Sequence, residues 1–395
     1  MKRRDLLWWS LIAFVFFIPI YQIIATVLAI VSVLLAVTIG ERRTPGYTLM
    51  QGWDCWIFVL ILAGGMLYTD HVDIGLRNLE TSLSLIALPV VFASMTSFDQ
   101  NKLRKLFYSF GFGLLLASLY CLTRAAVNYA TAGDVDSFFG DRLTAVLDNT
   151  HPIYFAYYLI LMITFGLYLI YYEEKTFVSA GLTWILTIFF FLMLLLMDSG
   201  TAIVGVVFPM LYFALKFVYE DHRTKFHYVA FLTSILLLIC LFAISNLDFR
   251  GNIASDDYWE RYVLWESAMN ALPNWLIGVG TGDSSSILNE YYRTHDLSVF
   301  ATSNYNAHNQ FVETLFEVGV PGLLALIIMI GRPIYLSVQN QNILGFLCIF
   351  PFLVYGMTEV FLGRYQGVVF FAVLHQAFVS LSRQQQSFSL KVDRI

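Results

Sequence analysis

Long apolar stretches alternate along the chain with short polar segments that carry charges, prolines or glycines. Because about 20 consecutive apolar residues form a helix long enough to cross the hydrocarbon core of a bilayer, the pattern predicts about twelve transmembrane helices. The predicted spans are residues 7–21, 23–40, 54–69, 78–96, 106–128, 152–172, 176–197, 201–219, 227–246, 309–330, 342–360 and 365–382.

The composition supports the same class. Hydrophobic residues make up 58% of the chain and charged residues 13%, whereas soluble domains have about 45–50% and about 25%. We therefore expect an all-α polytopic membrane protein. No basic cluster of the kind that binds nucleic acid occurs. The four cysteines lie far apart in apolar segments, so their spacing predicts neither a metal site nor a disulfide framework.

Lysines and arginines mark every second loop. Each segment that the count of spans places on the inner side contains at least one of them, for example Arg42, Lys105 and Arg332. The outer loops contain several aspartates, such as Asp70 and Asp134. Because positive residues accumulate on the cytoplasmic side, both termini are predicted to face the cytoplasm.

Two outer segments, residues 129–151 and 247–308, are too long to be simple turns. Long ordered connections are usually functional. The sequence therefore predicts transmembrane helices 1–9 in residues 1–246, an outer loop with short helices in residues 247–308, and transmembrane helices 10–12 with a cytoplasmic tail in residues 309–395.

Candidate chemistry is concentrated where the long loop meets the tenth span. If a helix begins near Asn309, then Asn309, Glu313 and Glu317 lie on one face, because residues four apart are neighbours. His308 lies at the outer mouth of that helix, and a histidine can accept a proton near neutral pH. Alternatively, Asn309 caps the helix and His308 is an interfacial residue.

The long loop contains two further patterns. Arg261 and Trp265 are four residues apart and lie one above the other on a predicted helix. Gly278 and Gly280 follow in a segment where glycines allow a turn or a close approach of two backbones. A nucleotide-binding loop is rejected because the GxxxxGK[ST] pattern is absent and the segment faces away from the cytosol.

These residues carry a resemblance to a known family. His308-Asn309, nine further residues and then Gly319-Val320-Pro321-Gly322 resemble the signature of the bacterial O-antigen ligase and polymerase superfamily. The segments around Arg261 and residues 278–283 resemble that family's large periplasmic loop, and residues 140–156 also fit its pattern.

The resemblance implies a GT-C-like membrane glycosyltransferase of lipopolysaccharide biosynthesis in the bacterial inner membrane, with its active site on the periplasmic side. The donor would be a glycan on undecaprenyl pyrophosphate, and the acceptor a hydroxyl group of a glycolipid such as lipid A–core. The resemblance implies no nucleotide sugar, no metal and no cofactor. A single in-line displacement would invert the anomeric configuration.

Roles can be matched to this reaction. His308 corresponds to the family's catalytic histidine, and Arg261 is the first candidate for binding the leaving pyrophosphate, since guanidinium pairs bidentately with phosphate oxygens. The remaining candidates for contacts with the pyrophosphate or the acceptor are Arg142, Asn309, Trp265, Arg124, Arg364 and His151, and the motif glycines are Gly278, Gly280, Gly319 and Gly322. Interfacial snorkelling is the alternative for Arg124 and Arg364, and a structural cap is the alternative for His151.

One position departs from the family's pattern. Gly200 stands where many members carry an arginine at the outer start of the eighth span, and Arg142 is the nearest substitute on the same side of the membrane.

Three alternatives to a ligase remain. Two share its chemistry: a polymerase that joins repeat units, and a protein O-oligosaccharyltransferase. The third is a transporter or flippase, which would place ionisable or helix-breaking residues midway through several spans. Most spans here are apolar through their centres.

Overall fold

The computed structural model describes residues 3–42, 44–147, 150–172, 179–220 and 253–392. Across these ranges the secondary structure is helical, without a strand. Sixteen α-helices are described: α1 Arg3–Phe17, α2 Gln22–Ile39, α3 Pro45–Gly65, α4 Val72–Ala93, α5 Gln100–Ala132, α6 Gly140–Thr144, α7 Pro152–Tyr171, α8 Ala180–Leu196, α9 Gly200–Glu220, α10 Ile253–Ala271, α11 Ser284–Thr294, α12 Ser298–Ser303, α13 Gln310–Gln339, α14 Ile343–Ile349, α15 Pro351–Gly356 and α16 Tyr365–Val392.

The protein is an all-α, multi-pass membrane protein. Among the described residues, seven helices are long and apolar enough to cross a membrane, namely α2, α3, α4, α5, α7, α13 and α16. Four shorter apolar segments lie at Asp5–Phe17, Ala180–Leu196, Gly200–Lys216 and Ile343–Gly356. Each corresponds to one of the twelve predicted spans, and the remaining predicted span, 227–246, lies outside the described residues.

The tenth predicted span differs from the helix that the structure contains. The apolar pattern stops at residue 330 because Arg332 and Pro333 follow, yet α13 continues to Gln339. Arg332 is accommodated because its guanidinium lies 2.5 Å from the carboxylate of Asp54 in α3. Helix α13 also has a kink at Val318 and Gly319, where the backbone leaves helical geometry.

The chain divides into two compact units. The first comprises Met1–Trp8, Ser32–Gln100 and Asn252–Ile395, and the second comprises Trp9–Val31 and Asn101–Gly251. In the first unit α3 packs against α4 and α13, and α16 packs against α4 and α13. In the second unit α7 packs against α8 and α9. The predicted division at residues 246 and 308 concerns the membrane topology and stays a prediction.

Candidate active site

The described part of the predicted outer loop, residues 253–308, has its own apolar core in the first unit. The inner face of α10 contributes Leu264 and Ala268, which are four residues apart and therefore lie on one side of the helix, and Leu272 follows directly after the helix. They pack in one cluster with Leu288 of α11 and Phe316 of α13. This packing fixes the orientation of α10 relative to the first turns of α13.

A glycine-rich segment joins this loop to the kink in α13. The kink leaves helix carbonyl groups without helical partners, and the N–H groups of Val279 and Gly280 donate to the carbonyl oxygens of Phe316 and Glu317 at 2.9 and 2.8 Å. In return, the N–H of Val320 donates to the carbonyl of Trp275 at 2.8 Å. The irregular backbone on both sides is thereby hydrogen-bonded, as burial requires.

The close approach explains two of the motif glycines. Gly278 has φ +71°, and a Cβ there would lie 2.5 Å from the carbonyl oxygen of Glu317. Gly319 has φ +69°, and a Cβ there would overlap the carbonyl of Leu276. Gly280 belongs to the same junction through its N–H bond to Glu317, whereas a Cβ on Gly322 would meet Val318 and Thr314 of its own helix. Three of the four motif glycines therefore lie at the junction between the loop and the helix, and Gly322 lies at the close packing within α13 beyond the kink.

Asp283 attaches the other end of this segment to the turn between α3 and α4. Its carboxylate accepts the backbone N–H groups of Asp70 and His71 at 2.8 and 2.9 Å and lies 2.7 Å from Nδ1 of His71. Burial alone would raise the pKa of Asp283, but these hydrogen bonds hold it below its ordinary value. Ser286 contacts the same Nδ1 of His71 at 3.3 Å, so the histidine does not relay between serine and aspartate.

His308 lies on a strained stretch of backbone between the loop and α13. Its φ is +43°, a left-handed conformation that costs free energy for a residue with a side chain. Two side chains hold this turn: Asn306 Oδ1 accepts the N–H of His308 at 2.9 Å, and Glu313 Oε2 accepts the N–H of Ala307 at 3.0 Å. The His308 ring is thereby directed towards Glu359, whose Oε1 lies 3.3 Å from Nδ1.

Three sequence-predicted residues contact one turn of the first unit, residues 357–359. Nη1 of Arg261 donates to the carbonyl of Thr358 at 2.8 Å, and Nδ2 of Asn309 donates to the carbonyl of Met357 at 3.3 Å. His308 contacts Glu359, the next residue of the turn. Asn309 also caps α13, because its Oδ1 accepts the N–H groups of Phe311 and Val312. The structure thus brings Arg261, His308 and Asn309 together.

Glu359 was not identified from the sequence. It lies at the end of the predicted span 342–360, in a segment that carries no motif. One signal was available: Glu359 is an isolated carboxylate among apolar residues on the outer side, and such groups usually have a polar partner. Its partner is 51 positions away in the chain, which single-sequence patterns do not reveal.

Two other candidates, Trp265 and Arg364, also belong to the first unit. Trp265 packs partly buried against the loop core, and its buried Nε1 has no hydrogen-bond acceptor among the described residues. Arg364 precedes α16 and is exposed, and within the described part of the chain its guanidinium forms no ion pair or hydrogen bond. Both are donors without an acceptor in this structure.

The other three candidates belong to the second unit. Arg142 is exposed and pairs with Asp134 and Asp136 at 3.2 and 3.3 Å. Arg124 is exposed on α5. His151 caps α7, where its Nδ1 accepts the N–H of Ile153 at 3.4 Å. Their roles with substrate stay predictions.

The position of Arg142 bears on the missing arginine at Gly200. Gly140 begins the short helix that carries Arg142, and a Cβ on Gly140 would lie 4.0 Å from Cβ of Asp198. Asp198 lies in the turn between α8 and α9, two residues before Gly200. The segment of Arg142 therefore lies beside the turn where the family's arginine is absent.

The chain is thus a multi-pass membrane protein in which a histidine, a carboxylate and an arginine meet at residues 357–359. Residues 185–327 match the sequence model of the O-antigen ligase family. The match confirms the resemblance to the O-antigen ligase-like superfamily over the segment that contains Arg261, His308 and the motif glycines.

A relative has also been found. An uncharacterized protein of Haemophilus influenzae is 25% identical to this chain over 122 residues, which are 28% of this chain. The chain spans 31% of the length of that relative.

Proposed function

We propose that this protein is a membrane glycosyltransferase of the O-antigen ligase type. It transfers a glycan from undecaprenyl pyrophosphate to a hydroxyl group of a glycolipid acceptor such as lipid A–core, on the periplasmic side of the bacterial inner membrane. The observation that carries the proposal is the convergence of Arg261, His308 and Asn309 on residues 357–359. The match to the O-antigen ligase family supports a ligase- or polymerase-like membrane glycosyltransferase.

His308 is the proposed general base. Glu359 contacts Nδ1, so the tautomer that carries its proton on Nδ1 satisfies the carboxylate and leaves a lone pair on Nε2. Nε2 has no partner among the described residues, and the His308 side chain is 30% exposed. A histidine oriented in this way by a third group can take the proton of an acceptor hydroxyl.

Arg261 is the proposed site for the leaving group. A guanidinium has five N–H donors in a planar fork, and in Arg261 one nitrogen contacts Thr358. The other donors can bind phosphate oxygens, where charge develops as the bond to the sugar breaks. Arg364, which is exposed, is a further donor of the same unit for the pyrophosphate or the sugar.

The reaction then proceeds in one step. The acceptor hydroxyl loses its proton to Nε2 of His308, and its oxygen forms the new bond to the anomeric carbon. The bond from that carbon to the pyrophosphate oxygen breaks, and its electron pair leaves with undecaprenyl pyrophosphate. Because attack and departure occur on opposite faces, the configuration inverts.

Cells that lack the native protein provide the test. His308→Ala and Arg261→Ala should each abolish the attachment of long glycan to the acceptor lipid without changing the abundance of the protein. His295→Ala is a matched control, since His295 is an exposed histidine of the same loop. Glycan ladders like those of the wild type from either site variant would contradict the assignment.

The material that accumulates separates the related activities. Loss of a ligase should leave undecaprenyl-linked polymer in the membrane, whereas loss of a polymerase should leave single undecaprenyl-linked repeat units. A transporter would be indicated if the purified protein formed no glycosidic bond from donor and acceptor while both variants still blocked export of the glycan.

A further inference from the structure

The outward face of α10 carries an ordered set of side chains that the proposed transfer reaction does not use. Trp259, Tyr262, Glu266 and Asn270 are spaced three, four and four residues apart, and all four are exposed. Residues at this spacing form one stripe along a helix. The opposite side of α10 packs into the loop core, so the stripe faces away from the protein.

The stripe begins with two aromatic rings. Trp259 and Tyr262 stack with their ring centroids 5.8 Å apart and their planes 29° from parallel. They are 65% and 52% exposed, so most of their apolar surface faces outward. Paired aromatic rings of this kind offer a rigid apolar surface with polar edges, which matches the C–H faces and hydroxyl rims of sugar rings.

The stripe continues with polar groups. Glu266 and Asn270 form no side-chain hydrogen bond or ion pair within the described part of the chain. A carboxylate accepts hydrogen bonds, and an amide both donates and accepts them, so together they can bind vicinal hydroxyl groups. The same two residues argue against burial of this face in lipid, because a charged group in the hydrocarbon region is costly.

We propose that Trp259, Tyr262, Glu266 and Asn270 form a carbohydrate-binding ridge for the glycan chain of the donor, beyond the sugar at which the new bond forms. Arg261 lies between the two aromatic residues in the chain and contacts the turn that holds His308 and Asn309. The ridge is therefore carried by the same helix as Arg261, on a different face of that helix. The identity of the ligand rests on the proposed function, because the glycan is the donor of that reaction.

Binding to the full-length protein in nanodiscs tests the ridge. The probe is the lipid-free glycan chain released from the source strain by mild acid, observed by saturation-transfer NMR and by titration of tryptophan fluorescence. The double variant Trp259→Ala/Tyr262→Ala should raise the dissociation constant about tenfold. Trp259→Phe/Tyr262→Phe, which keeps an aromatic ring at each position, should restore most of the affinity.

Trp275→Ala is the matched control, because Trp275 is 53% exposed on the same outer loop but lies off the stripe. It should bind as the wild type does. If the wild type does not bind the glycan, or if the double alanine variant binds equally well, the ridge is contradicted. Glu266→Lys provides a second variant and should also weaken binding.

Transfer kinetics separate this inference from the proposed function. With a long-chain donor, the double alanine variant should raise KM while kcat stays near the wild-type value, since the ridge contacts sugars away from the reacting bond. Normal transfer by His308→Ala together with lost glycan binding by the double variant would contradict the proposed function and support the ridge. Lost transfer by His308→Ala together with unchanged glycan binding by the double variant would support the proposed function and contradict the ridge.

Discussion

The first unit contains two clusters built from the same three kinds of side chain. One is His308, Glu359 and Arg261 beside the outer loop, and the other is His375, Asp54 and Arg332 among the membrane helices. In the inner cluster His375 and Asp54 are 0% exposed, whereas in the outer one the side chains of His308 and Glu359 are 30% and 17% exposed.

The two clusters also differ in how completely they are paired. Asp54 lies 2.5 Å from Arg332 and 2.7 Å from Nε2 of His375, and Nδ1 of His375 lies 2.9 Å from the amide of Gln376. Asp54, Cys55 and His375 bring ligand atoms within 4.8 Å of one another. The hydrogen bonds and the arginine account for these groups without an ion.

The outer cluster, in contrast, has one nitrogen of His308 and several donors of Arg261 without a partner among the described residues. It also rests on a backbone conformation that residues with side chains rarely adopt. Residue types alone therefore do not separate a structural network from a reactive one. Exposure, unfilled hydrogen-bonding capacity and strain do.

The largest expected effect is on stability. Asp54→Ala removes the acid from a buried network and leaves Arg332 and His375 without it, and we expect a loss of about 3–5 kcal/mol in the free energy of unfolding. Thermal melting of the purified protein measures this loss. Asp73→Ala, which breaks the exposed pair with Arg77, should leave the melting temperature unchanged. A melting temperature equal to that of the wild type for Asp54→Ala would show that the network is not structural.

The next effect is on turnover. Glu359→Gln keeps the size of the side chain but removes the negative charge that orients His308, and we expect kcat to fall on the order of 10- to 100-fold. The melting temperature should change little, whereas that of Asp54→Ala should fall. The matched control is Glu290→Gln on α11, an exposed glutamate of the same loop. Unchanged turnover with Glu359→Gln would remove Glu359 from the active site.

A third histidine–carboxylate pair, His71 and Asp283, can be tested through the pH dependence of stability. The pKa of Asp283 is lowered in the folded protein, so its stabilising contribution is complete above the unfolded pKa of about 3.9. That contribution is lost as the pH falls through the lower folded value. Asp283→Asn should cost about 1–2 kcal/mol at pH 7 and should flatten the acid dependence of melting below about pH 5. Parallel acid profiles for the variant and the wild type would contradict this account.

The smallest expected effect concerns Arg142. It already pairs with two exposed aspartates, and exposed pairs contribute little to stability. Arg142→Ala should leave melting unchanged and reduce transfer less than Arg261→Ala does. Arg77→Ala, which removes another exposed and paired arginine, is the control. A larger loss of transfer from Arg142→Ala than from Arg261→Ala would make Arg142 the more important of the two arginines.

The spans could be predicted because each needs only a local run of apolar residues, and each predicted span within the described residues overlaps an apolar helical segment, although the bounds of these segments differ by up to nine residues. His308, Arg261 and Asn309 could be predicted because they lie in one loop with recognisable spacing. Glu359 could not, since its role depends on a contact between distant parts of the chain. The extension of α13 past residue 330 was missed for the same reason: Asp54, far away in sequence, neutralises Arg332.

Chemical rescue tests the central claim most directly. With purified protein, lipid-linked donor and acceptor lipid, His308→Ala should lower the rate of transfer about 10²–10⁴-fold. Added imidazole should then restore part of the rate to His308→Ala but none to Arg261→Ala, because only the first variant lacks the base. Wild-type rates from His308→Ala without imidazole would contradict the proposal that His308 takes the proton of the acceptor.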